Sequence, residues 1–281
     1  MSYTTPDLSF EFFPPRTEKG VEAMSGVHAE LACFEPSFFS VTYGAGGSTQ
    51  QGTYDAVKSM LEAGSNVAPH ITCVGASRDY IKETIASYVD LGVNRMVVLR
   101  GDLPGGMVER GRFRYASDLV EFIREEFGDE LHLEVAAYPD FHPESSSPAS
   151  EIENFKRKID AGANSALTQY FYNADSYFAF QEEAVRAGIN VPIVPGIMPI
   201  TNYTMLTRFS DTCGAELPRW IRARLEQYQN DTPSLMAFGL DVVTHLCFDL
   251  LDNGVAGLHF YALNKVDPVR EICTRVGFVR S

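Results

Sequence analysis

The chain has 281 residues, of which 45% are hydrophobic, and its formal net charge at pH 7 is −14. A chain of this size and composition can bury one large core. An acidic surface repels the phosphates of nucleic acids and of anionic membranes. We therefore expect no nucleic-acid or membrane partner, and a phosphate-bearing ligand would need a local group of cations.

The N-terminus has no basic segment followed by an apolar one, and no apolar stretch approaches the roughly 18 to 20 residues of a membrane span. We therefore expect a cytoplasmic protein. The five cysteines are scattered and form no Cys-x-x-Cys pair. This spacing predicts reduced thiols and no structural zinc site.

Eight short runs rich in β-branched and aromatic residues recur along the chain. They are nearly continuous in apolar character, as strands covered on both faces are. The predicted strands are residues 8–13, 38–43, 67–73, 95–100, 131–138, 166–171, 192–197 and 257–263.

Segments with helical spacing lie between these strands, and most end at a glycine that can close a helix. They are residues 18–33, 49–63, 79–91, 116–127, 150–161 and 175–187, and the interval 201–253 holds further helical segments at 219–228 and 235–251. The alternation predicts a single α/β domain over residues 1–281, a closed (β/α)8 TIM barrel with an extra helix in the loop between strands 7 and 8. An open doubly wound sheet is the alternative, but Pro14 and Pro15 follow the first strand where it would have a glycine-rich turn.

Polar or ionisable residues end nearly every predicted strand. In a barrel of this kind these ends converge on one mouth, where chemistry is found. The groups are Glu11, then Thr42 and Tyr43, His70 and Thr72, Arg100, Gly101 and Asp102, Tyr138 leading to His142, Gln169 and Tyr170, and last Tyr261 with Asn264 and Lys265. This pattern predicts a binding or catalytic site.

Glu11 lies within an aromatic strand beside Phe10, Phe12 and Phe13. Burying an ionised carboxylate without a partner costs several kcal/mol, so such a group is paired, protonated or turned toward a polar cavity. The alternative is an edge strand whose carboxylate faces water.

Each of the other groups also has a purely structural alternative. Glu11 and Asp102 could be ion-pair partners of Arg100 or Lys265, His70 could be a core histidine, and Arg100 to Asp102 could form a simple turn. The run from Lys156 to Lys158 could be a solvated helix face. His28, His132, His245 and His259 have no polar company in sequence and are assigned no role. With no evident nucleophile or metal cage, the set suits an organic cofactor.

Ten sequence blocks, in one order, resemble the methylenetetrahydrofolate reductase family in its short bacterial form. They are Ser-Phe-Glu-Phe-Phe-Pro-Pro at 9–15, Ser-Val-Thr-Tyr-Gly-Ala at 40–45, Ala-Pro-His-Ile-Thr-Cys at 68–73, Leu-Arg-Gly-Asp-Leu-Pro at 99–104, Tyr-Ala-Ser-Asp-Leu at 115–119, Ala-Ala-Tyr-Pro at 136–139, Lys-Arg-Lys-Ile-Asp-Ala-Gly-Ala at 156–163, Thr-Gln-Tyr-Phe at 168–171, Pro-Gly-Ile-Met-Pro at 195–199 and His-Phe-Tyr-Ala-Leu-Asn at 259–264.

The resemblance implies a barrel that binds FAD and reduces 5,10-methylenetetrahydrofolate with NADH or NADPH, by ping-pong hydride transfer, to supply methyl groups for methionine synthesis. It also implies a dimer or tetramer. The implied flavin-binding residues are Thr42, Tyr43, His70, Arg100, Gly101, Asp102, Tyr115, Ala116, Tyr138, His142, Asn154, Arg157 and Lys158.

The resemblance also implies catalytic and substrate-binding roles. Glu11 would be the general acid that protonates N10 of the folate, with a pKa raised by its phenylalanine neighbours, and Asp102 would lie beside the flavin. Gln169, Phe209 and Lys265 would bind the folate. Lys265 and Met205 stand where relatives often have Arg and Gln, so the glutamate tail of the folate would be held differently here.

Two other functions compete with this interpretation. One is a folate-dependent methyltransferase or demethylase on the same barrel that uses no flavin. The other is a noncatalytic barrel that serves as an interaction module, which would predict apolar or missing groups at the strand ends.

Overall fold

A computed structural model of the protein describes residues 6–43, 50–101 and 113–280. Within those residues, a nine-stranded parallel sheet is surrounded by ten helices. The strands are β1 (Asp7–Phe12), β2 (Phe38–Val41), β3 (Val67–Thr72), β4 (Arg95–Leu99), β5 (His132–Ala137), β6 (Ser165–Thr168), β7 (Ile193–Val194), β8 (Gly196–Ile197) and β9 (Gly257–Tyr261). The helices are α1 (Glu18–Ala32), α2 (Gln50–Glu62), α3 (Arg78–Asp90), α4 (Ala116–Phe127), α5 (Pro148–Asp160), α6 (Ala174–Arg186), α7 (Tyr203–Cys213), α8 (Arg219–Gln227), α9 (Thr232–Asp252) and α10 (Val269–Arg275).

The sheet closes into a barrel through a segment that the sequence predicts as one strand, residues 192–197. The structure divides this segment into β7, which pairs with β6, and β8, which pairs with β9. Pro195 lies between them and has no N–H to donate, whereas its carbonyl oxygen accepts a hydrogen bond from the His259 N–H at 3.0 Å. One short segment thus joins β6 to β9, and the predicted (β/α)8 barrel is confirmed.

Helices α7, α8 and α9 occupy the interval between β8 and β9. Contrary to the expectation from the sequence, α9 is long and apolar enough, with a mean hydropathy of 1.5 over its most apolar window, to meet the criterion for a membrane span. The helix packs against α6 and α10 and buries Leu235, Val243 and Leu250. A helix that packs against other helices of a protein can be as long and as apolar as a membrane span, so length and hydropathy alone are weak evidence for a membrane here.

The strands bury both of their faces. Between strands and helices lies the main core, which includes Phe10, Phe12 and Leu31. Inside the barrel, a smaller cluster contains Phe38, Ala68, Val97 and Leu167. The barrel interior is therefore packed, as it is in other barrels of this type, and is not a pore.

A polar cluster lies at the N-terminal end of the barrel. The guanidinium of Arg95, at the start of β4, lies 4.6 Å from the centre of the Phe38 ring and forms an ion pair with Glu134. The Glu134 carboxylate also accepts a hydrogen bond from Ser165 Oγ at 2.6 Å. The buried carboxylate is thus fully compensated at the end of the barrel opposite the mouth.

The predicted helix stops also agree with the structure. Gly64 and Gly92 follow α2 and α3 with φ angles of 87° and 91°, a conformation that favours glycine. All five cysteines are free thiols, and Cys73, Cys247 and Cys273 are buried.

We expect the substitution Gly196→Ala to lower the free energy of unfolding by about 3 kcal/mol or more, because overpacking here involves backbone. An added Cβ would lie 2.1 Å from the Thr168 carbonyl oxygen and 2.8 Å from the Tyr261 ring. Urea denaturation measures the change. Gly26→Ala is the control, since nothing lies within 4 Å of a Cβ at this position in α1, and it should stabilise by about 0.5 to 1 kcal/mol. Similar effects of the two substitutions would contradict this account of β8.

Candidate active site

A cavity of about 1280 Å³ opens at the C-terminal ends of the strands. Small-molecule sites typically occupy roughly 300 to 1,000 Å³, so this cavity has room for more than one organic molecule. The predicted site residues that line it are Glu11, Thr42, Tyr43, His70, Arg100, Gly101, Tyr115, Ala116, Tyr138, His142, Asn154, Arg157, Lys158, Gln169 and Phe209. The fold therefore brings nearly all of the predicted site together.

Two predicted site residues are not placed in the cavity. Asp102 lies outside the described residues. Lys265 is exposed and is not among the residues that line the cavity. Both assignments stay predictions.

The alternation of side chains along β1 places Glu11 in the cavity. Phe10 and Phe12 belong to the core between the strands and the helices, and both pack against the Phe39 ring. Successive side chains of a strand point to opposite faces, so Ser9 and Glu11 face the barrel interior. The predicted aromatic environment of the carboxylate was therefore wrong, because the Phe10 and Phe12 rings lie on the other face of the sheet and Phe13, which follows the end of β1, is 46% exposed.

Two buried imidazoles flank the Glu11 carboxylate instead. His70 Nε2 lies 3.3 Å and His259 Nε2 lies 3.7 Å from Glu11 Oε2. Neither nitrogen makes a hydrogen bond of good geometry to a described residue. Burial raises the pKa of Glu11, but the charges and polar contacts of His70 and His259 outweigh burial and lower this pKa to about 2.

The raised pKa expected from the sequence was therefore wrong. The two structural alternatives for Glu11 were also wrong within the described residues, because the carboxylate does not face open water and its ion-pair contacts are with His70 and His259, not with Arg100 or Lys265. It has one side turned to the cavity and the other to the imidazoles. This arrangement can hold a proton between a carboxylate and two rings.

His259 is a site residue that sequence reasoning missed. Its Nδ1 lies 2.8 Å from Ser9 Oγ, and the two residues are register partners in β1 and β9. His259 stands two residues before Tyr261 in the same strand, so the period of two places both side chains on the barrel interior. That spacing was the signal available in the sequence.

We expect the Glu11 carboxyl to remain ionised at pH 5 and above, because its pKa is lowered to about 2. Infrared difference spectroscopy of the wild type against Glu11→Gln measures this directly. The protonated-acid C=O band should be absent from the difference spectrum between pH 5 and 8. A protonated-acid C=O band that is present in the wild type at pH 6 and absent from Glu11→Gln would show instead that the pKa of Glu11 is raised.

Among the described residues, three Arg and Lys side chains line the cavity: Arg100, Arg157 and Lys158. Lys158 Nζ donates a hydrogen bond to the Ala136 carbonyl oxygen at 2.5 Å, and burial lowers the pKa of Lys158 to about 8. Lys156, by contrast, forms an exposed i,i+4 pair with Asp160. The basic run is thus divided, with Lys156 on the solvated helix face and its two neighbours in the cavity.

The N-terminus of α4 adds backbone N–H groups to the cavity wall. Tyr115, Ala116 and Ser117 line the cavity, and α4 begins at Ala116. Helix N-termini favour anions, because the first N–H groups have no partner within the helix. Asp118 accepts hydrogen bonds from the Arg114 and Tyr115 N–H groups at 2.7 and 3.1 Å, which fixes this turn.

The loop between β5 and α5 is folded around a buried carboxylate. Glu151, which is 2% exposed, accepts hydrogen bonds from Ser145 Oγ at 2.5 Å and from the His142 N–H at 3.3 Å. His142 also packs edge-on against the Tyr138 ring, with ring centres 4.7 Å apart. Burial lowers the pKa of His142, which favours the neutral ring.

Gln169 and Phe209 occupy the part of the cavity wall formed by β6 and α7. The side-chain oxygen of Gln169 accepts a hydrogen bond from the Tyr170 N–H at 3.0 Å, which fixes the side-chain amide at the end of β6. The Tyr170 and Ser210 hydroxyls lie 3.1 Å apart and tie this strand end to α7. Phe209 is 39% exposed and lines the cavity, so its ring is available to a flat ligand.

The fold and the cavity together define the class of protein. A closed parallel barrel whose strand ends carry ionisable side chains around a large mouth is the architecture of (β/α)8-barrel enzymes. Among residues 6–43, 50–101 and 113–280, no group of three His, Cys, Asp or Glu side chains is arranged to hold a metal ion. The donors of the cavity suit an organic ligand with anionic groups.

Comparison with known families identifies the particular kind of barrel enzyme. The family model described as methylenetetrahydrofolate reductase matches residues 3–277. The chain belongs to the methylenetetrahydrofolate reductase family, a family of oxidoreductases, and the resemblance found in the sequence is confirmed.

Curated relatives share this family. The 5,10-methylenetetrahydrofolate reductase of Pectobacterium carotovorum subsp. carotovorum is 38% identical over 274 residues, which cover 96% of this chain and 90% of that protein. The enzyme of the same name from Escherichia coli (strain K12) is 36% identical over 272 residues, with the same coverage. Methylenetetrahydrofolate reductase (NADH) 1 of Arabidopsis thaliana is 36% identical and matches 97% of this chain, but only 48% of the plant protein.

Solved structures agree on the fold. A protein from Clostridium thermocellum, described as binding two copies of 5-methyl-5,6,7,8-tetrahydrofolic acid, aligns with a TM-score of 0.68 and 16% identity over 98% of this chain and 93% of its own. A dihydropteroate synthase of Xanthomonas albilineans aligns with a TM-score of 0.51 and 14% identity over 97% of this chain and 92% of its own. At these identities the similarity shows the barrel fold alone.

Proposed function

We propose that the protein catalyses the reduction of 5,10-methylenetetrahydrofolate to 5-methyltetrahydrofolate, with NADH or NADPH as the electron donor and FAD as the resident cofactor. The observation that carries the proposal is the combination, in one cavity of a chain from this family, of a proton-holding group around Glu11 with a set of cations. Proton donation and anion binding are what this reaction requires of the protein.

The residues of the cavity fit FAD. Arg100, Arg157, Lys158 and the N-terminus of α4 supply donors suited to a diphosphate. Gly101 has a φ of 86°, and an added Cβ would lie 2.9 Å from Thr72 Cβ, so both the backbone conformation and the packing require glycine at this point of the cavity wall. When bound, FAD would take a hydride from the nicotinamide cofactor and pass it to the folate.

The remaining flavin-binding assignments follow the shape of the wall. Thr42, Tyr43 and His70 lie at the ends of neighbouring strands, and Tyr138 and His142 pack edge-on against each other after β5. Asn154 Oδ1 accepts a hydrogen bond from Arg157 Nη1 at 3.2 Å, so α5 presents an amide and a guanidinium together. We assign Ala116 a backbone role at the first turn of α4, Tyr115 a place beside it, and Asp102 a position next to the flavin.

Glu11 would deliver the proton that opens the folate ring. The five-membered ring must open to an iminium before the carbon accepts a hydride, and N10 must gain a proton as it departs. Because the pKa of Glu11 is lowered to about 2, the carboxylate alone does not store this proton at neutral pH. We place the proton in the group formed by Glu11, His70 and His259, with Glu11 as the member that faces the ligand.

Gln169 and Phe209 would position the folate. A side-chain amide both donates and accepts hydrogen bonds and so suits the edge of a pterin ring. The half-exposed Phe209 ring would pack against the ligand that lies on the flavin. Lys265 would meet the glutamate tail of the folate as it leaves the cavity.

The wider biological role rests on the family. We propose that the product supplies methyl groups for methionine synthesis in the cytoplasm and that the enzyme works as a dimer or tetramer. The Arabidopsis thaliana relative is named for NADH, but no described residue distinguishes NADH from NADPH in this chain.

The first test is the visible absorption spectrum of the purified protein after incubation with FAD, followed by anaerobic addition of NADH or NADPH. We expect flavin absorption that bleaches with a nucleotide in the absence of folate and recovers when methylenetetrahydrofolate is added, as ping-pong transfer requires. A protein that takes up no flavin but still converts a folate would favour the flavin-independent methyltransferase or demethylase instead.

A second test separates the two half-reactions. In Glu11→Gln, flavin reduction by the nicotinamide cofactor should proceed at near wild-type rate, whereas folate reduction should fall by a factor of about 10² to 10⁴, the usual contribution of a general acid. Anaerobic stopped-flow absorbance measures each half-reaction. Glu22→Gln, an exposed position on α1, is the charge-matched control. Folate reduction at near wild-type rate in Glu11→Gln would remove Glu11 from the mechanism.

A further inference from the structure

An ion pair inside the cavity engages Arg100, one of the cations assigned to the cofactor. Both terminal nitrogens of Arg100 contact the Glu144 carboxylate, with Nη1 2.5 Å from Oε2 and Nη2 2.9 Å from Oε1. Both residues line the cavity. This two-point geometry is the one that a guanidinium also uses to bind a phosphate.

Hydrogen bonds hold the backbone of the loop that carries Glu144. The Glu144 N–H donates a hydrogen bond to His142 Nδ1 at 3.0 Å, and the Ser145 N–H donates one to the His142 carbonyl oxygen at 2.8 Å. The buried Glu151 carboxylate anchors the next side chain, Ser145, as described above. The backbone of Glu144 is therefore held by the folded loop, and its 55% exposed side chain extends from there to Arg100.

We propose that Glu144 is an internal counter-anion that competes with the diphosphate of a bound dinucleotide for Arg100. This inference rests on the proposed function, in which the cavity holds FAD. In the protein without cofactor, Glu144 forms an ion pair with a guanidinium that is only 20% exposed, and this pairing offsets part of the cost of burying the charge. When the diphosphate binds, it replaces the Glu144 carboxylate as the partner of Arg100. Glu144 therefore lowers the affinity for the cofactor, and the bound cofactor can exchange with free cofactor.

An alternative role for Glu144 predicts the opposite change in the affinity for the cofactor. If Glu144 mainly orients Arg100 toward the ligand, its removal should weaken binding. The structure favours competition, because Arg100 Nε already donates a hydrogen bond to the Gly101 carbonyl oxygen at 3.3 Å. The guanidinium thus keeps a second anchor when Glu144 is neutralised.

The test measures how tightly the 281-residue protein, after removal of any bound nucleotide, binds FAD and ADP. Flavin fluorescence quenching measures the first and isothermal titration calorimetry the second. In Glu144→Gln we expect both ligands to bind more tightly, on the order of tenfold, because a carboxylate close to the phosphates has been removed. In Arg100→Gln, the further change Glu144→Gln should have little effect, since the competition acts through Arg100.

Glu182→Gln is the matched control. Glu182 forms an exposed pair with Arg186 on α6, so this change alters the net charge equally without touching the cavity and should leave both affinities unchanged. If the wild type binds FAD and Glu144→Gln binds FAD equally or more weakly, the inference about Glu144 is overturned and the proposed function is not. If the wild type bound neither FAD nor ADP, the proposed function would fail with it.

Discussion

The contact of the Glu11 carboxylate with two buried imidazoles is the constraint on which the rest of the site depends. An ionised carboxylate inside a barrel is tolerated only when its charge is compensated. His70 and His259 supply that compensation from β3 and β9, on the two sides of β1. Ser40, fully buried and in register with Glu11 on the intervening β2, is small enough to leave the carboxylate and His70 close together.

The same principle operates at the cations of the cavity. Arg100 contacts Glu144, Arg157 contacts Asn154 and Lys158 contacts the Ala136 carbonyl oxygen, so each of these cations has an internal acceptor before any ligand arrives. An anionic ligand that binds these cations then replaces their internal acceptors. The affinity of such a site is a small difference between two sets of interactions, and single residues in the wall can shift it in either direction.

The barrel closure fixes the geometry of the mouth. Asn264 clamps the end of β1, because its side-chain oxygen accepts a hydrogen bond from the Phe13 N–H at 3.0 Å and its amide donates one to the Phe13 carbonyl oxygen at 2.8 Å. At β8, Gly196 leaves room for the Tyr261 ring, whose hydroxyl donates a hydrogen bond to the Thr168 carbonyl oxygen at 2.7 Å. These contacts hold the strand ends that carry Glu11 and Gln169.

The sequence by itself determined the alternation of strands and helices, the closed barrel and most of the residues around the mouth, because apolar runs, glycine stops and polar strand ends are local features of the chain. It also predicted a site cation at Lys158 within a basic run. Only the tertiary structure decided which groups meet: the imidazole of His259 comes to Glu11 from β9, near the other end of the chain, and Glu144 reaches Arg100 from the loop after β5. The pKa of a buried carboxylate depends on the charges across the barrel more than on its neighbours in sequence, and for that reason the sequence predicted a raised pKa where the fold produces a lowered one.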